Sequence, residues 1–308
     1  MARLVFLGTP ETAVPPLRAL LDSGHDVALV VSRPDKRRGR GGTLVPSPVK
    51  AAAIELGLDV VDSLDTVAEA GAELGVVVAY GRIIPVAVLD RLPMVNLHFS
   101  LLPRWRGAAP VERAILEGDA ETGVCLMEVE AGLDTGGIYA QADTVIGEDE
   151  SVDDLRARLV DLGCGLLIRH LSRGRAGLPR PRDQIGEPSY AEKIQPAELE
   201  LRWDQPAVQV RRVIRLGRAW TTFRGRRLRI LVATGARSGP PADRPAESSP
   251  DTPAPGSLHV TDGVGAEVTC GDRTRVHLVT VQPEGKRPMD ASDWIRGVRP
   301  DPAERLGE

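Results

Sequence analysis

Asn96 and His98 lie two residues apart in the apolar run that opens "VNLHFSLLPRWRGAAP", residues 95–110. In an extended strand, side chains two apart project from the same face. The run therefore presents a carboxamide, which can donate to an oxygen gaining negative charge, beside an imidazole, which can move a proton. That pairing suits nucleophilic attack on a carbonyl carbon. A hydrogen-bonded pair inside a core is the plainer alternative, so the elements around the pair have to decide. A third group, Asp134, stands in "EAGLDTGG" among Gly132, Gly136 and Gly137. A turn aspartate is its ordinary reading.

The surrounding pattern supplies a frame for these groups. "RLVFLGT" reads as a strand and "PETAVPPLRALLDSG" as a helix, with Thr9 as N-cap, Pro10 at the first helical position and Gly24 as the stop. "DVALVVS" is a second strand, "SPVKAAAIELGL" a helix, and "GVVVAYG" a strand apolar enough to be buried on both faces. The Asn-His strand, a helix over 109–117 and "TGVCLMEVE" continue the series, and a helix near 152–172 closes it. This alternation predicts an α/β domain on a parallel sheet. Ligands of such sheets bind beyond the carboxyl ends of the strands. Gly8-Thr9, Tyr80-Gly81, Asn96, His98 and Asp134 are expected to meet there. "LGTPET" lacks the G-x-G-x-x-G spacing and no P-loop is present, which leaves a nicotinamide or ATP enzyme without support. Asp-Thr-Gly is also the aspartic-protease signature, and "DSG" at 22–24 offers a second copy. That fold is nearly all β, whereas Asp22 ends an amphipathic helix, which makes the protease the weaker reading; binding of a pepstatin-like inhibitor at acid pH would revive it.

Residues 179–207, rich in proline and charge, read as an inter-domain connection. An arginine-rich helix over 206–217 follows. The short strands "RRLRILVA", "GSLHVTD", "AEVTCGD" and "RVHLVTVQP" then suggest a small β-barrel. Residues 235–256, a Pro/Ser/Ala insertion, are expected to be disordered. Of the 308 residues, 42% are hydrophobic and only 3% aromatic, a composition suited to a soluble protein. No run approaches a membrane span, and the apolar start is too short for a signal peptide. Three scattered cysteines argue against a disulfide framework. The expectation is a cytoplasmic protein with reduced thiols and no metal. The net charge of −4 hides two basic concentrations. Residues 33–42 hold five bases and one acid, and residues 205–231 hold eight arginines and no acid. Two basic patches on an acidic chain point to a polyanion such as a nucleic acid.

"FLGTPETA", "GRGGTLVPSPVK", "VVVAYGRIIP", "NLHFSLLPRWRGAAPVERAILEGDAETGV" and "EAGLDTGG" together resemble the methionyl-tRNA formyltransferase family, in order and in spacing. The likeness continues through "YAEKI" and "VQPEGKRPM". The chain departs from the family at Phe99, at "LGRAWTTF" and in the longer insertion. The resemblance implies a Rossmann-like formyltransferase domain over 1–189, a linker over 190–205 and an OB-like tRNA-binding barrel over 206–308. It implies formyl transfer from 10-formyltetrahydrofolate to the α-amino group of methionine on initiator tRNA, carried out by a monomer. Asn96 would stabilise the tetrahedral oxyanion, His98 would add a hydrogen bond or deliver a proton, and Asp134 would orient His98. Ser100, Leu101, Leu102 and Pro103, with Tyr80, Gly81, Arg82 and Ile83, would line the folate site. Lys36, Arg37, Arg38 and Arg40 on the basic loop, and Arg211, Arg212 and Arg215 on the arginine-rich helix, would meet tRNA. Two other readings are a folate formyltransferase or hydrolase acting on an amino-sugar nucleotide or on water, and a tRNA-binding protein without catalysis. Neither accounts for both the basic patches and the Asn96, His98 and Asp134 set.

Overall fold

Alternating apolar runs and short amphipathic helices condense into two units in a computed structural model that describes residues 1–38, 42–235, 253–261 and 265–308. The first unit comprises Met1–Ala114, Ala120–Ile146 and Asp154–Lys193, and the second Ile115–Asp119, Gly147–Asp153 and Ile194–Glu308. In chain order the first eleven strands are β1 (Arg3–Gly8), β2 (Asp26–Val31), β3 (Lys36–Arg38), β4 (Thr43–Val45), β5 (Val60–Val61), β6 (Leu74–Val78), β7 (Met94–His98), β8 (Arg106–Gly107), β9 (Glu121–Glu128), β10 (Ile138–Val145) and β11 (Tyr190–Ala191). Helices α1 (Val14–Asp22), α2 (Pro48–Glu55), α3 (Val86–Leu89), α4 (Pro110–Glu117) and α5 (Val152–Leu171) alternate with them.

Seven strands form the main sheet in the order β10-β9-β7-β6-β1-β2-β5. β5, β2, β1, β6 and β7 are parallel, whereas β9 and β10 are antiparallel additions at one edge. The sheet is thus mixed rather than wholly parallel. β9 enters beside the carboxyl end of β7, since His98 pairs with Cys125 and Val95 with Glu128. A parallel neighbour would need a connection that returns the chain to the amino end of β7. One face of the sheet packs Val5, Leu7, Val31, Val77, Tyr80 and Met94 into a common core.

Several local expectations shift for physical reasons. Thr9 does not cap a helix: the α-helical part begins only at Val14, after a short 3₁₀ turn over Glu11–Ala13. Pro15 and Pro16 occupy its first turn, where no intrahelical N–H is needed. Thr9 Oγ1 instead donates to Tyr80 O (3.1 Å), tying the chain after β1 to the chain after β6. The stop at Gly24 holds, with φ +80°. The basic segment is not all loop, because β3 and β4 pair as an antiparallel ribbon. Arg40 and most of the 235–256 insertion lie outside the described residues.

The second unit contains α6 (Ala207–Ile214), the strands β12 (Trp220–Phe223), β13 (Arg226–Gly235), β14 (Leu258–Thr261), β15 (Gly265–Thr269), β16 (Arg275–Pro283) and β17 (Met289–Asp290), and α7 (Ala291–Val298). Its antiparallel sheet runs β12-β13-β16-β15-β14, with β17 also on β16. The path is open between β12 and β14 among the described residues, so the expected closed barrel is here a sheet with two free ends. Its core includes Trp203, Val210, Ile214, Phe223, Ile230, Leu278 and Trp294. Phe223 meets Trp294 edge-on, with ring centroids 5.2 Å apart.

Candidate active site

At the carboxyl end of β7 the period-two expectation is met: Asn96 and His98 both line one cavity of about 560 Å³. Val77, Ala79–Ile84, Gly107, Ala108, Met127 and the loop Val129–Asp134 complete much of its wall. The volume falls in the usual range of small-molecule sites. The carboxamide of Asn96 has no hydrogen-bond partner among the described residues, although its strand is paired on both sides. It is left to bind something in the cavity. His98 is 5% exposed, and its Nε2 lies 2.8 Å from Trp105 O. A carbonyl can only accept, so Nε2 donates and carries the proton. Nδ1 then faces Asp134, with 3.6 Å between Nδ1 and Oδ2.

Asp134 reaches His98 by a route that register makes visible. β9 ends at Glu128, level with Val95, so the following loop runs back over about three strand residues, roughly 10 Å, along β7. Asp134 adopts φ +51°, a conformation that aspartate tolerates better than most residues. Its Oδ2 accepts from Gly107 N (2.8 Å). Gly107 itself has φ +116°, and a Cβ there would lie 3.0 Å from Ala191 O, so a side chain would push this donor out of place. At Gly136 a Cβ would lie 2.1 Å from Glu128 O, which explains the glycine beside the aspartate.

Sequence reasoning missed the brace of this loop. Gln184 Nε2 donates to Asp134 O (2.8 Å) and to Gly136 O (2.9 Å), while its Oε1 accepts from Arg106 Nε and Nη2 at 3.1 and 2.7 Å. Gln184 lies in the proline-rich stretch read as a connection, and much of that stretch is laid against the first unit. Arg182 bridges Ile138, Ser189 Oγ accepts from Trp105 N (2.9 Å), and β11 pairs with β8. Lys193, in the "YAEKI" run, and Arg33 also line the cavity.

The expected folate-lining residues divide. Tyr80, Gly81, Arg82 and Ile83 do line the cavity. Ser100, Leu101, Leu102 and Pro103 do not. Ser100 is buried and donates to Arg104 O (2.5 Å), and Leu102 enters a small core with Cys125, Met127 and Ile138. The turn thus supports the end of β7 from behind rather than forming its surface.

The expected tRNA contacts divide as well. Lys36 and Arg37 are exposed on the β3–β4 ribbon, whose base is held by Lys50 Nζ on Asp35 Oδ1 (2.7 Å). Arg38 ends β3 and pairs through its backbone with Thr43. Arg211 and Arg215 turn inward, contrary to expectation. Arg211 has a side chain only 14% exposed and pairs with Glu148 (3.2 Å) and Asp149. Arg215 donates to Glu150 O (2.7 Å) and Gly147 O (2.9 Å), and Arg212 donates to Gln209 (3.3 Å). Within the second unit Arg211 is thus engaged by the acids at 148 and 149, and Arg215 by main-chain carbonyls at 147 and 150, so these two guanidinium groups are largely occupied. Arg218, Arg226 and Arg227 remain exposed, and Arg227 lies over the Trp220 ring at 4.2 Å.

Among the described residues no group of His, Cys, Asp or Glu is arranged to hold a metal ion, and no helix is long and apolar enough to cross a membrane. A folate finds a fitting wall here. Turn backbone at Ala79–Ile84 offers hydrogen-bonding edges for a flat heterocycle, Ile83 (85% exposed) and Leu133 (58%) offer apolar rim, and the Asn96 amide is free.

Comparison with known proteins shows the family of the chain. Residues 2–171 match the family described as formyl transferase, and residues 193–299 match the formyl transferase C-terminal domain. The chain is 43% identical to the methionyl-tRNA formyltransferase of Acidothermus cellulolyticus, over 99% of each protein. It is 40% identical to the methionyl-tRNA formyltransferase of Streptomyces coelicolor, over 99% of this chain and 100% of that one. Among solved structures, the N-formyltransferase of Helicobacter canadensis in complex with folinic acid and dTDP-3-aminofucose shares the fold. The TM-score is 0.66 at 16% identity, with 92% of this chain and 100% of that one covered.

Proposed function

The chain belongs to the formyl transferase family, and on that premise we propose that Asn96, His98 and Asp134 carry the group transfer in the cavity they line. The reaction is transfer of the formyl group of 10-formyltetrahydrofolate to the α-amino group of methionyl initiator tRNA, the step that prepares that tRNA for translation initiation. When bound, the folate supplies a formyl carbon already activated on its nitrogen. The protein's part is to hold charge and protons around that carbon.

The observation that carries the assignment is the unpaired Asn96 amide beside a histidine whose other nitrogen is occupied. Asn96 donates to the formyl oxygen as negative charge develops there, a contact that strengthens towards the transition state. Trp105 O holds the His98 Nε2 proton in place, so Nδ1 is the atom that accepts or delivers a proton. Asp134 steadies a proton held at Nδ1, and Gly107 N keeps the carboxylate aimed. Tyr80, Gly81, Arg82 and Ile83 bind the folate, with Ser100–Pro103 supporting the strand end.

Lys36, Arg37, Arg38 and Arg40 on the ribbon meet the acceptor end of the tRNA. The residues 1–189, 190–205 and 206–308 serve as catalytic domain, linker and OB-like tRNA-binding domain. In the last of these, Arg218, Arg226 and Arg227 supply the charge that Arg211 and Arg215 spend internally. The protein works as a cytoplasmic monomer, where its tRNA and folate substrates are made and used.

The test is formylation of methionyl initiator tRNA by the parent and by His98→Ala, with tRNA binding measured alongside. Turnover should fall by two orders of magnitude or more while tRNA affinity holds. Near-normal turnover in His98→Ala at saturating folate would overturn the assignment.

A further inference from the structure

Between Asp161 and Asp183 the chain carries no acid, and residues 169–182 hold five arginines, a histidine and no lysine. This run lies outside both basic concentrations described above. It covers the last turn of α5, a 3₁₀ turn over Gly174–Gly177 and a Pro-Arg-Pro-Arg stretch that returns to Ile138. Arg169, Arg173, Arg175, Arg180 and Arg182 are all exposed, and their guanidinium groups have no hydrogen bond or ion pair among the described residues. Basic side chains at a helix C-terminus favour the helix dipole, which accounts for Arg169 and Arg173 but not for the other three.

Local contacts gather the run into one patch. Gly174, at φ +61°, presses against the first unit, where a Cβ would lie 2.9 Å from Ala2 Cβ. Glu73 Oε1 accepts from Arg175 N (3.0 Å), which spends that carboxylate on backbone. Arg182 exchanges both backbone hydrogen bonds with Ile138, the first residue of β10. Burial and Glu128 raise the pKa of Tyr139, and the charge of Arg175 opposes them, which puts that guanidinium at the same end of β10. Pro179 and Pro181 hold the stretch between them extended. Ala2 and Glu73 immediately precede β1 and β6, so the patch stands at the amino end of the sheet. The reaction cavity lies beyond the carboxyl end, roughly 15–20 Å away.

We propose that Arg169, Arg173, Arg175, Arg180 and Arg182 form a docking surface for the phosphate backbone of an RNA duplex other than the substrate's acceptor end. All five cations are arginines, whose planar fork takes two phosphate oxygens at once, as a lysine does not. Their backbone is already fixed by the 3₁₀ turn, the prolines and Ile138, so little order has to be gained on docking. The run from 162 to 182 contains no Phe, Tyr or Trp on which unpaired bases would stack, which favours a duplex over a single strand. Ile168, 44% exposed, is the one large apolar side chain that the run exposes, too little to anchor in a lipid surface. An acceptor end seated in the cavity leaves the patch uncovered, so the enzyme holds substrate and a second RNA together.

The probe is a blunt, fluorescently labelled RNA duplex of sixteen or so base pairs, which has no methionyl group and no single-stranded end. Its binding to the full chain is measured across a salt series, beside the KM for methionyl initiator tRNA and a thermal melt. The variant combines Arg173→Gln, Arg175→Gln, Arg180→Gln and Arg182→Gln, and the pairs 173/175 and 180/182 are also made separately. The combined variant should bind the duplex at least tenfold more weakly, with a salt slope shallower by about 0.9 for each lost phosphate contact. Each pair should give part of that loss. The KM for the tRNA, kcat and the melt should stay near parent values, because these side chains are exposed and touch nothing that folds. Equal duplex affinity in parent and combined variant would overturn the inference. So would a rise in the KM for tRNA that matches the loss of duplex binding, since the patch would then belong to the substrate's own footprint. Binding of the parent to phosphatidylserine vesicles through these arginines, with no binding of the duplex, would overturn it in favour of a lipid surface. Failure of the parent to formylate methionyl-tRNA would overturn the reaction assigned above and leave the duplex measurement standing.

Discussion

Replacing Asn96 by alanine separates the chemistry of the site from its stability. The Asn96 amide has no protein partner among the described residues, so the substitution breaks no internal hydrogen bond and leaves no orphaned group behind. The side chain is half-buried on a strand whose backbone remains paired with β6 and β9. The folding cost should therefore stay below about 1 kcal/mol, or roughly 2–4 °C in Tm for a domain of this size. The catalytic cost is of another order. Loss of one preorganised donor to a developing oxyanion typically removes about 2.7–4 kcal/mol of transition-state stabilisation, or about 10²–10³ in rate. Asn96→Asp sharpens the comparison, because it keeps the shape and puts a negative charge where negative charge must build. At about 3 Å and an effective dielectric of about 20 that repulsion is roughly 5 kcal/mol. The assay is single-turnover formylation of methionyl initiator tRNA at saturating folate, beside a thermal melt. The order of rates should be parent, Asn96→Ala, Asn96→Asp, with melts within a few degrees. A rate for Asn96→Ala within threefold of the parent would refute the donor role.

Gln184→Leu removes the brace of the Asp134 loop, and kcat should fall about tenfold or more with the KM for tRNA unchanged. Gln184→Asn should restore part of that loss, whereas parent-like kcat in Gln184→Leu would show the brace to be dispensable. Arg211→Ala should destabilise the second unit by about 1–2 kcal/mol, since its acid partners stay largely solvated. It should leave the salt dependence of tRNA binding as it was, while Arg226→Ala with Arg227→Ala should flatten that slope by about 0.7–0.9 per lost phosphate contact. The reverse pattern would return the tRNA contact to α6. Burial pushes the thiols of Cys125 and Cys164 up to about 11 and that of Cys270 up to about 12. Raised values mean scarce thiolate at pH 8, so the native protein should react slowly with a thiol reagent and the unfolded chain quickly; rapid native labelling would contradict the burial.

What the sequence made legible follows from periodicity and local geometry. Asn96 and His98 share a face because a strand alternates, and the order of strands and helices in the first unit shows in the apolar runs. Gly24, with its positive φ, is readable because only a left-handed residue ends a helix that way. The orientation of β9 was not readable, since a strand buried on both faces carries the same apolar run whether it lies parallel or antiparallel. Ser100–Pro103 misled for a related reason. Their place next to His98 suggests a ligand surface, but Leu102 satisfies an apolar pocket on the inner side and takes the turn with it. Arg211 and Arg215 look like a basic patch because their partners stand about sixty residues earlier, and composition does not reveal that the acids at 148 and 149 come back to meet Arg211 and the carbonyls at 147 and 150 to meet Arg215. Gln184 was hidden in the same way, by bonds that span about fifty positions from a stretch whose prolines suggest a mere connection.

The most direct test of the account follows a labelled formyl group. Purified protein is incubated with 10-formyltetrahydrofolate labelled in that group and, in parallel, methionyl initiator tRNA, methionyl elongator tRNA, an amino-sugar nucleotide, and buffer alone. Label should move to the methionine α-amino group of the initiator tRNA, with far less on the elongator and none released to water beyond background. Label carried to the sugar nucleotide or released as formate, with the initiator tRNA unlabelled, would contradict it.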